Sequence, residues 1–300
     1  MNEETRCGFV AIVGAPSVGK STLLNRFLGE KISITAAKPQ TTRHRILGVL
    51  TEPKGQLIFW DTPGLHLSER LLNLELIALA KSALADADVV LWVVDAVRRG
   101  VDHHLAQDLI RSVNQPLVVA LNKVDKVAKD NRPRIELLAK SLDPGPRGAV
   151  FQISAKSGLG LFRLKNKLYD LLPSQNLLYP SDTLTDRPLR SLAAELIREE
   201  IFRLTNQEIP YSTAVTIEEF KEPHEKNDHY YLNATVHVEK PNQKKVIIGQ
   251  GGQTIKLVGQ GARRRLEELL DAKVFLNLFV RVTKNWTKNL KHIREFGYGG

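Results

Sequence analysis

The sequence predicts two domains, an α/β domain with a doubly wound, mostly parallel sheet and, after it, a small α+β domain. Short apolar strands alternate with helical patterns up to about residue 172, an order typical of parallel sheets covered by helices. From residue 189 the order changes to helix, two strands, helices and a strand. The chain has 300 residues, which is long for one hydrophobic core and comfortable for two.

Apolar runs predict the buried strands of the first domain: Phe9–Val13, Gln56–Trp60, Val89–Val94, Leu117–Leu121 and Ala149–Ile153. Between them, apolar residues recur at helical spacing in Ser21–Leu28, Leu71–Leu84 and Ile135–Leu142. A short turn, Glu52-Pro53-Lys54-Gly55, joins Ile46–Thr51 to the second of these strands and predicts a hairpin. The hairpin would add one antiparallel edge strand to the sheet.

A proline-containing stretch separates the predicted domains. Helix Leu161–Leu172 is ended by Pro173, and Pro180 and Pro188 follow among Ser, Asn and Asp residues. We therefore predict a first domain over residues 1–175, a linker over 176–187 and a second domain over 188–300. The second domain should contain helix Leu189–Leu204, strands Thr213–Phe220 and Tyr230–Glu239, a glycine-rich turn, a helix ending near Asp271, and strand Val274–Val282.

The composition is that of a globular protein in a reducing compartment. Hydrophobic residues make up 42% of the chain and charged residues 25%, which argues against disordered and fibrous classes. The longest apolar runs, such as Val89–Val94, are strand-sized and far shorter than a bilayer-spanning helix. Residues 1–6 lack the order of a signal peptide, and the single cysteine, Cys7, excludes an internal disulfide. We expect a cytoplasmic protein.

The positive charge of the chain predicts a polyanionic partner. The formal net charge is +10, and residues 240–265 carry seven basic side chains and no acidic one. Nucleic acid and an anionic membrane surface both fit this charge.

A phosphate-binding loop follows the first predicted strand and opens the first helix. Residues 14–21 match G-x-x-x-x-G-K-[ST] in the context that this motif requires. Backbone N–H groups of such a loop surround the phosphates, Lys20 reaches the β- and γ-phosphates, and the Ser21 hydroxyl ligates Mg²⁺. The predicted phosphate-binding residues are Gly14, Ala15, Pro16, Ser17, Val18, Gly19, Lys20, Ser21 and Thr22.

The loops after two later strands predict a guanine site. Asn122-Lys123-Val124-Asp125 follows Leu117–Leu121, and Ser154-Ala155-Lys156 follows the next strand. The Asp125 carboxylate can accept the ring N–H and the exocyclic amine of guanine, whereas adenine would leave that charge unsatisfied. We predict that Asn122, Lys123, Asp125, Ser154, Ala155 and Lys156 form the base pocket.

Two further segments complete the predicted nucleotide site. Asp61-Thr62-Pro63-Gly64-Leu65 lies at a strand end, where Asp61 can hold Mg²⁺ through water and the Gly64 amide can contact the γ-phosphate. The loop Gln40-Thr41-Thr42-Arg43-His44 can supply a second hydroxyl to Mg²⁺, and we favour Thr42 over Thr41. The predicted metal-site residues are therefore Ser21, Thr42 and, through water, Asp61.

The sequence assigns no side-chain base to the attacking water. Leu65 occupies the position at which many small GTPases carry a water-orienting glutamine. Lys20 can stabilise transition-state charge, and Arg43, His44 and Arg45 are alternative stabilisers on the preceding loop. Unassisted hydrolysis should therefore be slow.

A second glycine loop in the basic segment predicts RNA binding. Gly249-Gln250-Gly251-Gly252 lies between an apolar segment and a helix start, and G-x-x-G loops of K-homology domains clamp about four nucleotides. Alone this motif is weak, but here it lies within the helix–strand–strand–helix–helix–strand order. The predicted RNA-binding residues are Lys244, Lys245, Ile248, Gly249, Gln250, Gly251, Gly252, Lys256, Arg263 and Arg264. Trp286 could stack a base, but core packing is the favoured role.

Over nearly its whole length the sequence resembles the Era family of bacterial and organellar GTPases. The resemblance is carried by residues 40–45, 61–65, 185–187 and 248–252, read as QTTRHR, DTPGL, TDR and IGQGG. It implies a type II K-homology domain, Mg²⁺-dependent conversion of GTP to GDP, and binding to the 3′ end of 16S ribosomal RNA. It also implies a monomer that assists maturation of the 30S subunit and associates peripherally with the inner membrane. Leucine at position 65 is usual in the family.

One residue departs from the family's phosphate loop. Ser17 stands where the family commonly has asparagine, a residue that in related GTPases helps to hold K⁺. The serine side chain is shorter and has one oxygen, so K⁺ should stimulate hydrolysis only weakly.

Two other classes of function compete with a GTPase that binds RNA. An ATP-dependent P-loop enzyme, such as a nucleotide kinase or an RNA helicase, is disfavoured by residues 122–125. A membrane-surface GTPase is disfavoured because no amphipathic helix with aromatic insertion residues is evident.

Overall fold

A computed structural model describes residues 5–34, 42–65, 71–98, 104–112, 114–142, 144–146, 148–205, 209–223, 225 and 228–298. They form two compact units, the first ending at Asp186 and the second beginning at Arg187. No helix in these ranges is both long and apolar enough to span a bilayer.

The first unit contains a six-stranded sheet in the order β2-β3-β1-β4-β5-β6. Strand β2 pairs antiparallel with β3, and all other pairs are parallel, as the sequence predicts. The strands are β1 (Arg6–Val13), β2 (Ile46–Glu52), β3 (Gly55–Asp61), β4 (Val89–Asp95), β5 (Leu117–Asn122) and β6 (Ala149–Gln152). The helices are α1 (Lys20–Leu28), α2 (Leu71–Ala85), α3 (His104–Arg111), α4 (Arg132–Ser141) and α5 (Leu161–Leu171).

Hydrophobic side chains on both faces of this sheet explain its stability. One cluster includes Ala11, Ile58 and Val90, and the other includes Ile12, Leu24 and Leu164. Strands β3 and β4 are buried along their whole length, as continuous apolar strands require when helices cover both faces. The carboxyl ends of the parallel strands therefore share one edge of a rigid layer, where ligands bind in such folds.

The segment predicted as a linker is tied to the first unit. The buried Gln56 side chain accepts hydrogen bonds from the backbone N–H groups of Leu178 and Tyr179, at 3.2 and 3.0 Å, and donates to the Tyr179 carbonyl. Farther along, the N–H of Val49 donates to the Leu184 carbonyl, and the Thr185 hydroxyl donates to Leu47. We call residues 174–185 the strap, because they bind along β1, β3 and β2.

The second unit is a three-stranded sheet packed against helices. Its order is β7-β8-β9, with β7 antiparallel and β9 parallel to β8. The strands are β7 (Ala214–Lys221), β8 (Tyr230–Val238) and β9 (Val274–Val282), and the helices are α6 (Leu189–Leu204), α7 (Pro241–Ile248), α8 (Gln253–Leu270) and α9 (Leu290–Glu295). Ile201, Val236, Ile247, Val258 and Ala262 are among the buried core residues.

Helices α6 and α8 are also joined by buried ion pairs. Arg265 lies 2.7 Å from Glu199 and 3.0 Å from Glu200, and both carboxylates are almost fully buried. Gly261 faces the same place, where an added Cβ would lie 2.4 Å from a Glu200 carboxylate oxygen. Glu200 also pairs with Arg203 at 2.7 Å, so two arginines hold this buried carboxylate.

Two of these helices, α3 and α9, were not identified from the sequence. Helix α7 was expected only from the order of elements, and its apolar residues 246–248 fitted either a strand or a helix end because they are consecutive. In the structure Pro241 opens α7, where a missing N–H costs nothing, and Gly249 ends it at φ 75°.

Candidate functional site

The phosphate loop connects β1 to α1, and glycine is required at both of its ends. Gly14 and Gly19 have φ values of 151° and 105°. A Cβ at Gly14 would lie 2.4 Å from the Val93 carbonyl oxygen, and one at Gly19 would lie 2.3 Å from the Asn122 amide nitrogen. The loop is therefore packed against β4 and β5, with its backbone fixed.

Lys20 lies inside the loop. Its buried ammonium group donates to the carbonyl oxygens of Gly14 and Ala15, at 3.0 and 3.1 Å. Burial lowers the pKa of Lys20 to about 8, and the nearby Asp61 charge only partly opposes this shift. A phosphate in the loop would supply the missing negative charge, so the site favours an anionic ligand.

Three predicted metal-site residues converge beside Lys20. The Ser21 hydroxyl is 2.9 Å from the Thr42 hydroxyl and donates to Asp61 Oδ2 at 2.6 Å. Among the described residues Asp61 Oδ1 has no hydrogen-bond partner although it is buried, and burial raises the pKa of this carboxyl group. Two hydroxyls and an unsatisfied carboxylate oxygen are hard oxygen donors that fit Mg²⁺ with bound phosphates and water. Gln40 and Thr41 lie outside the described residues.

A fourth residue at this position, Ser33, was missed by sequence reasoning. Its buried hydroxyl donates to Asp61 Oδ2 at 2.9 Å. Ser33 belongs to no sequence motif, and only the fold places it next to residue 61.

The guanine-side loops are tied to the phosphate loop. The Asn122 amide donates to the Val18 carbonyl at 2.8 Å, and its oxygen accepts from the Ala155 N–H at 2.9 Å. The Lys123 ammonium donates to the Ser17 carbonyl and to Asp95 Oδ2, both at 2.7 Å. These contacts hold residues from three loops in one position.

Asp95 is a second residue that the sequence did not single out. Burial alone would raise its pKa, but hydrogen bonds from Lys123 and from the Val97 and Arg98 backbone lower it overall. The charged carboxylate therefore fixes Lys123 at the end of β4, where the register places Asp95 opposite Asn122.

The base-recognition residues remain accessible. Asp125 is exposed in a short 3-10 turn, and Lys156 is exposed in the next loop. In that loop the Ser154 hydroxyl accepts from the Ser157 N–H at 3.1 Å, which holds the turn in place. An open carboxylate beside a fixed loop can pair with guanine.

The segment after β3 approaches the phosphate loop closely. The Thr62 hydroxyl donates to the Ile12 carbonyl at 2.7 Å, and the Leu65 N–H donates to the Gly14 carbonyl at 3.2 Å. A Cβ at Gly64 would lie 2.7 Å from the Pro16 Cα, so only glycine fits there. Pro63 precedes this contact, and the Leu65 side chain is buried.

The structure also places the residues proposed as alternative charge stabilisers. The Arg45 guanidinium stacks 3.3 Å from the Trp60 ring centroid and pairs with Asp86 at 3.1 Å. Arg43 is fully buried, and His44 is half-buried. Arg45 is thus held by the sheet and helix α2.

In the second unit, the G-x-x-G loop is open to solvent on one side. Gly249, Gly251 and Gly252 have φ values of 75°, 57° and 78°. A Cβ at Gly249 would lie 2.3 Å from the Thr254 hydroxyl, but none at Gly251 or Gly252 would meet an atom within 4 Å. Gln250 and Gly251 are exposed, whereas Gly252 and Ile248 are half-buried. A polymer backbone can therefore approach the loop closely.

Exposed cationic side chains lie on the two helices that flank this loop, and one arginine of the basic run is paired with glutamates instead. Lys245, Lys256, Arg263 and Arg264 are exposed, and Lys244 is half-buried beside a cavity of about 570 Å³. Arg265 belongs to the α6–α8 ion pairs. Trp286 is fully buried and donates to the Ser212 carbonyl, which assigns it to the core.

These features define a P-loop GTPase fold followed by a K-homology fold. A family model described as a 50S ribosome-binding GTPase matches residues 9–123, and a KH domain model matches residues 208–287.

Full-length relatives identify the family. The chain is 43% identical over 297 residues to GTPase Era of Geotalea uraniireducens, covering 99% of both chains. It is 44% identical to GTPase Era of Pseudomonas aeruginosa over 298 residues, covering 98% of this chain and 96% of the relative. The chain therefore belongs to the Era family of GTPases.

Solved Era structures share the fold. Era in complex with MgGDPNP and nucleotides 1506–1542 of 16S ribosomal RNA matches with a TM-score of 0.93 and 39% identity, covering 99% of this chain and 100% of that one. A variant of Aquifex aeolicus Era bound to GDP·AlF4⁻ matches with a TM-score of 0.92 and 39% identity, with the same coverage.

Proposed function

We propose that this GTPase binds the 3′ region of 16S ribosomal RNA through its second unit and assists maturation of the small ribosomal subunit. The observation that carries the proposal is the open G-x-x-G loop with four exposed cations on the flanking helices, Lys245, Lys256, Arg263 and Arg264. The RNA bound by the related Era supports the choice of ligand.

The first unit performs Mg²⁺-dependent hydrolysis of GTP in this proposal. Ser21 and Thr42 would ligate the ion, and Asp61 would hold it through water. An ion held by these residues would supply positive charge to the nucleotide phosphates. Lys20 adds a second positive charge at the same phosphates, while Asp125 pairs with the guanine edge.

The attacking water receives no side-chain base. Leu65 is buried and apolar, so orientation of the water is left to backbone groups such as the Gly64 N–H, or to a partner. K⁺ should stimulate GTP hydrolysis only weakly. Ser17, at the asparagine position of the family, has one short hydroxyl to offer, and its backbone is left-handed with φ 62°.

In the second unit, RNA phosphates would pass over the backbone of residues 249–252. The glycines permit close approach, and the lysines and arginines of the flanking helices would neutralise phosphates along the same RNA. The half-buried apolar side chains of Ile248 and Ile255 border the same loop and can contact bases. Affinity should therefore fall steeply with salt.

The remaining expectations concern the cellular setting. We infer a cytoplasmic monomer that meets the 30S subunit and associates peripherally with the inner membrane. The net charge of +10 supports contact with anionic surfaces, and each unit has its own hydrophobic core.

Titration of the full chain with a labelled 16S 3′-end RNA, in the presence of GDP or a GTP analogue, tests the proposal. We expect saturable binding that competitor RNA of the same length but scrambled sequence does not abolish. Equal affinity for both RNAs would contradict recognition of the 3′ region. Competition between labelled GTP and ATP in the same preparation separates a GTPase from an ATP-dependent enzyme.

A further inference from the structure

Ser33 occupies a fixed position beside the carboxylate of the metal site. It follows α1 and is 1% exposed, and its hydroxyl donates to Asp61 Oδ2 at 2.9 Å. None of the nucleotide-binding motifs includes it.

The Asn25 side chain on α1 fixes the backbone of Ser33. Its oxygen accepts from the N–H groups of Ile32 and Ser33, at 3.1 and 2.9 Å, and its amide nitrogen donates to the Ser33 carbonyl at 2.7 Å. These three hydrogen bonds fix both sides of residue 33. Ile32 is buried against β2, where a Cβ at Gly48 would lie 3.0 Å from its terminal methyl group.

The hydrogen bonds of Asp61 are distributed unequally between its two oxygens. Oδ2 accepts from Ser21 at 2.6 Å and from Ser33 at 2.9 Å, while Oδ1 is buried with no partner in the part of the chain that the structure describes. Two donors on one oxygen set the rotation of the carboxylate and leave the other oxygen for a ligand. The Ser21 hydroxyl also contacts Thr42 and is itself a candidate metal ligand.

We propose that Ser33, held by Asn25, is a positioning residue for the magnesium site. Its hydroxyl keeps Asp61 Oδ1 directed toward the metal position when the Ser21 hydroxyl is engaged by the ion. The inference rests on the proposed Mg²⁺ site, and it assigns Ser33 a role in metal retention with no direct contact to nucleotide.

The test is the dissociation rate of a fluorescent GDP from the full chain, measured over a series of Mg²⁺ concentrations and in EDTA. Ser33→Ala should raise the Mg²⁺ concentration for half-maximal retention by about tenfold, the effect of one lost hydrogen bond to a charged group. The rate in EDTA should stay within about twofold of the wild type, because no metal is present to be positioned. Ser33→Thr keeps the hydroxyl and should restore the Mg²⁺ response.

Two more variants separate positioning from general damage. Asn25→Ala removes the support and should shift the Mg²⁺ response in the same direction, and its effect should not add fully to that of Ser33→Ala. Ser141→Ala removes an exposed hydroxyl that donates to the Leu138 carbonyl within α4, and it should match the wild type.

The outcomes are distinguishable. An unchanged Mg²⁺ response in Ser33→Ala and Asn25→Ala would overturn the inference, as would an equal loss of retention in EDTA. A wild-type protein whose GDP release ignores Mg²⁺ would overturn the proposed metal site itself. If Ser33→Ala does not fold, Asn25→Ala carries the same comparison.

Discussion

Replacing Gln250 and Gly251 with aspartates would place two negative charges on the exposed part of the G-x-x-G loop. No atom lies within 4 Å of a Cβ built on Gly251, so the new side chain meets no steric clash. Its φ of 57° is left-handed, which costs an L-residue roughly 1–2 kcal/mol, with aspartate at the low end. Folding should therefore survive with a loss of about 1 kcal/mol in the free energy of unfolding.

The affinity for RNA should fall far more than the stability does. Two aspartates facing the phosphate path would offset about two of the cations on the flanking helices. Each cation lost removes about 0.7 from the slope of log affinity against log salt for a single strand. We expect the magnitude of that slope to decrease by about 1.4. The affinity at low salt should fall roughly 100-fold.

The assay is a pair of titrations, with labelled 16S 3′-end RNA and with labelled GTP, at several salt concentrations. GTP binding should be unchanged in the aspartate variant, while Lys20→Ala should lose GTP. Gly145→Asp is a matched control, since Gly145 is also left-handed, at φ 72°, with open surroundings, but lies in the first unit. A folded aspartate variant that binds RNA normally would show that the loop is only a structural turn.

Three further predictions concern single side chains. Asp125→Asn should shift preference from guanine to xanthine nucleotides, because the amide inverts one hydrogen-bond partner, and unchanged GTP selectivity in competition binding would refute this role. Hydrolysis should be slow and should rise little when K⁺ replaces Na⁺, and Ser17→Asn should increase the K⁺ response. A large K⁺ stimulation that Ser17→Asn leaves unchanged would contradict this reasoning. Burial lowers the pKa of His237 to about 4, so it is neutral when folded but takes up a proton below pH 6.5 when unfolded. The free energy of unfolding should fall by about 2 kcal/mol from pH 7 to pH 5 through this group. In urea unfolding followed by the fluorescence of Trp286, in a background where Trp60 and Trp92 are replaced by Phe, His237→Gln should show a smaller loss, and an equal loss would exclude His237 as the cause.

The nucleotide-binding loops could be located from the sequence because they lie directly after apolar strands. Parallel strands bring their carboxyl ends to one edge, so strand order alone places residues 14–21, 61–65 and 122–125 together. Ser33 and Asp95 could not be found in this way. Their roles depend on hydrogen bonds to Asp61 and Lys123, each 28 positions away in the chain, and no local pattern encodes such contacts.

The arginines of α8 also show what could not be predicted from the sequence. Three consecutive arginines look equivalent in the sequence, but a helix turns by about 100° per residue and points them in different directions. Arg263 and Arg264 are exposed, whereas Arg265 meets the buried glutamates of α6. Sequence reasoning could name the cationic segment, but the division between structural and available charges required the packing of two helices.

The hydrogen bonds of the strap determine which fragments of the first unit should be stable. A fragment of the first unit that stopped at residue 175 would remove the Leu178 and Tyr179 backbone groups that satisfy the Gln56 amide. Gln56 would keep its hydrogen bond to the Thr51 hydroxyl but lose these three. Each such bond contributes roughly 0.5–1.5 kcal/mol net, so their loss is a large share of the stability of a small domain. A fragment extended to Asp186 keeps these partners, together with the backbone hydrogen bond between Val49 and Leu184. Dissection of this GTPase should therefore follow the hydrogen bonds of the strap rather than the prolines in the sequence.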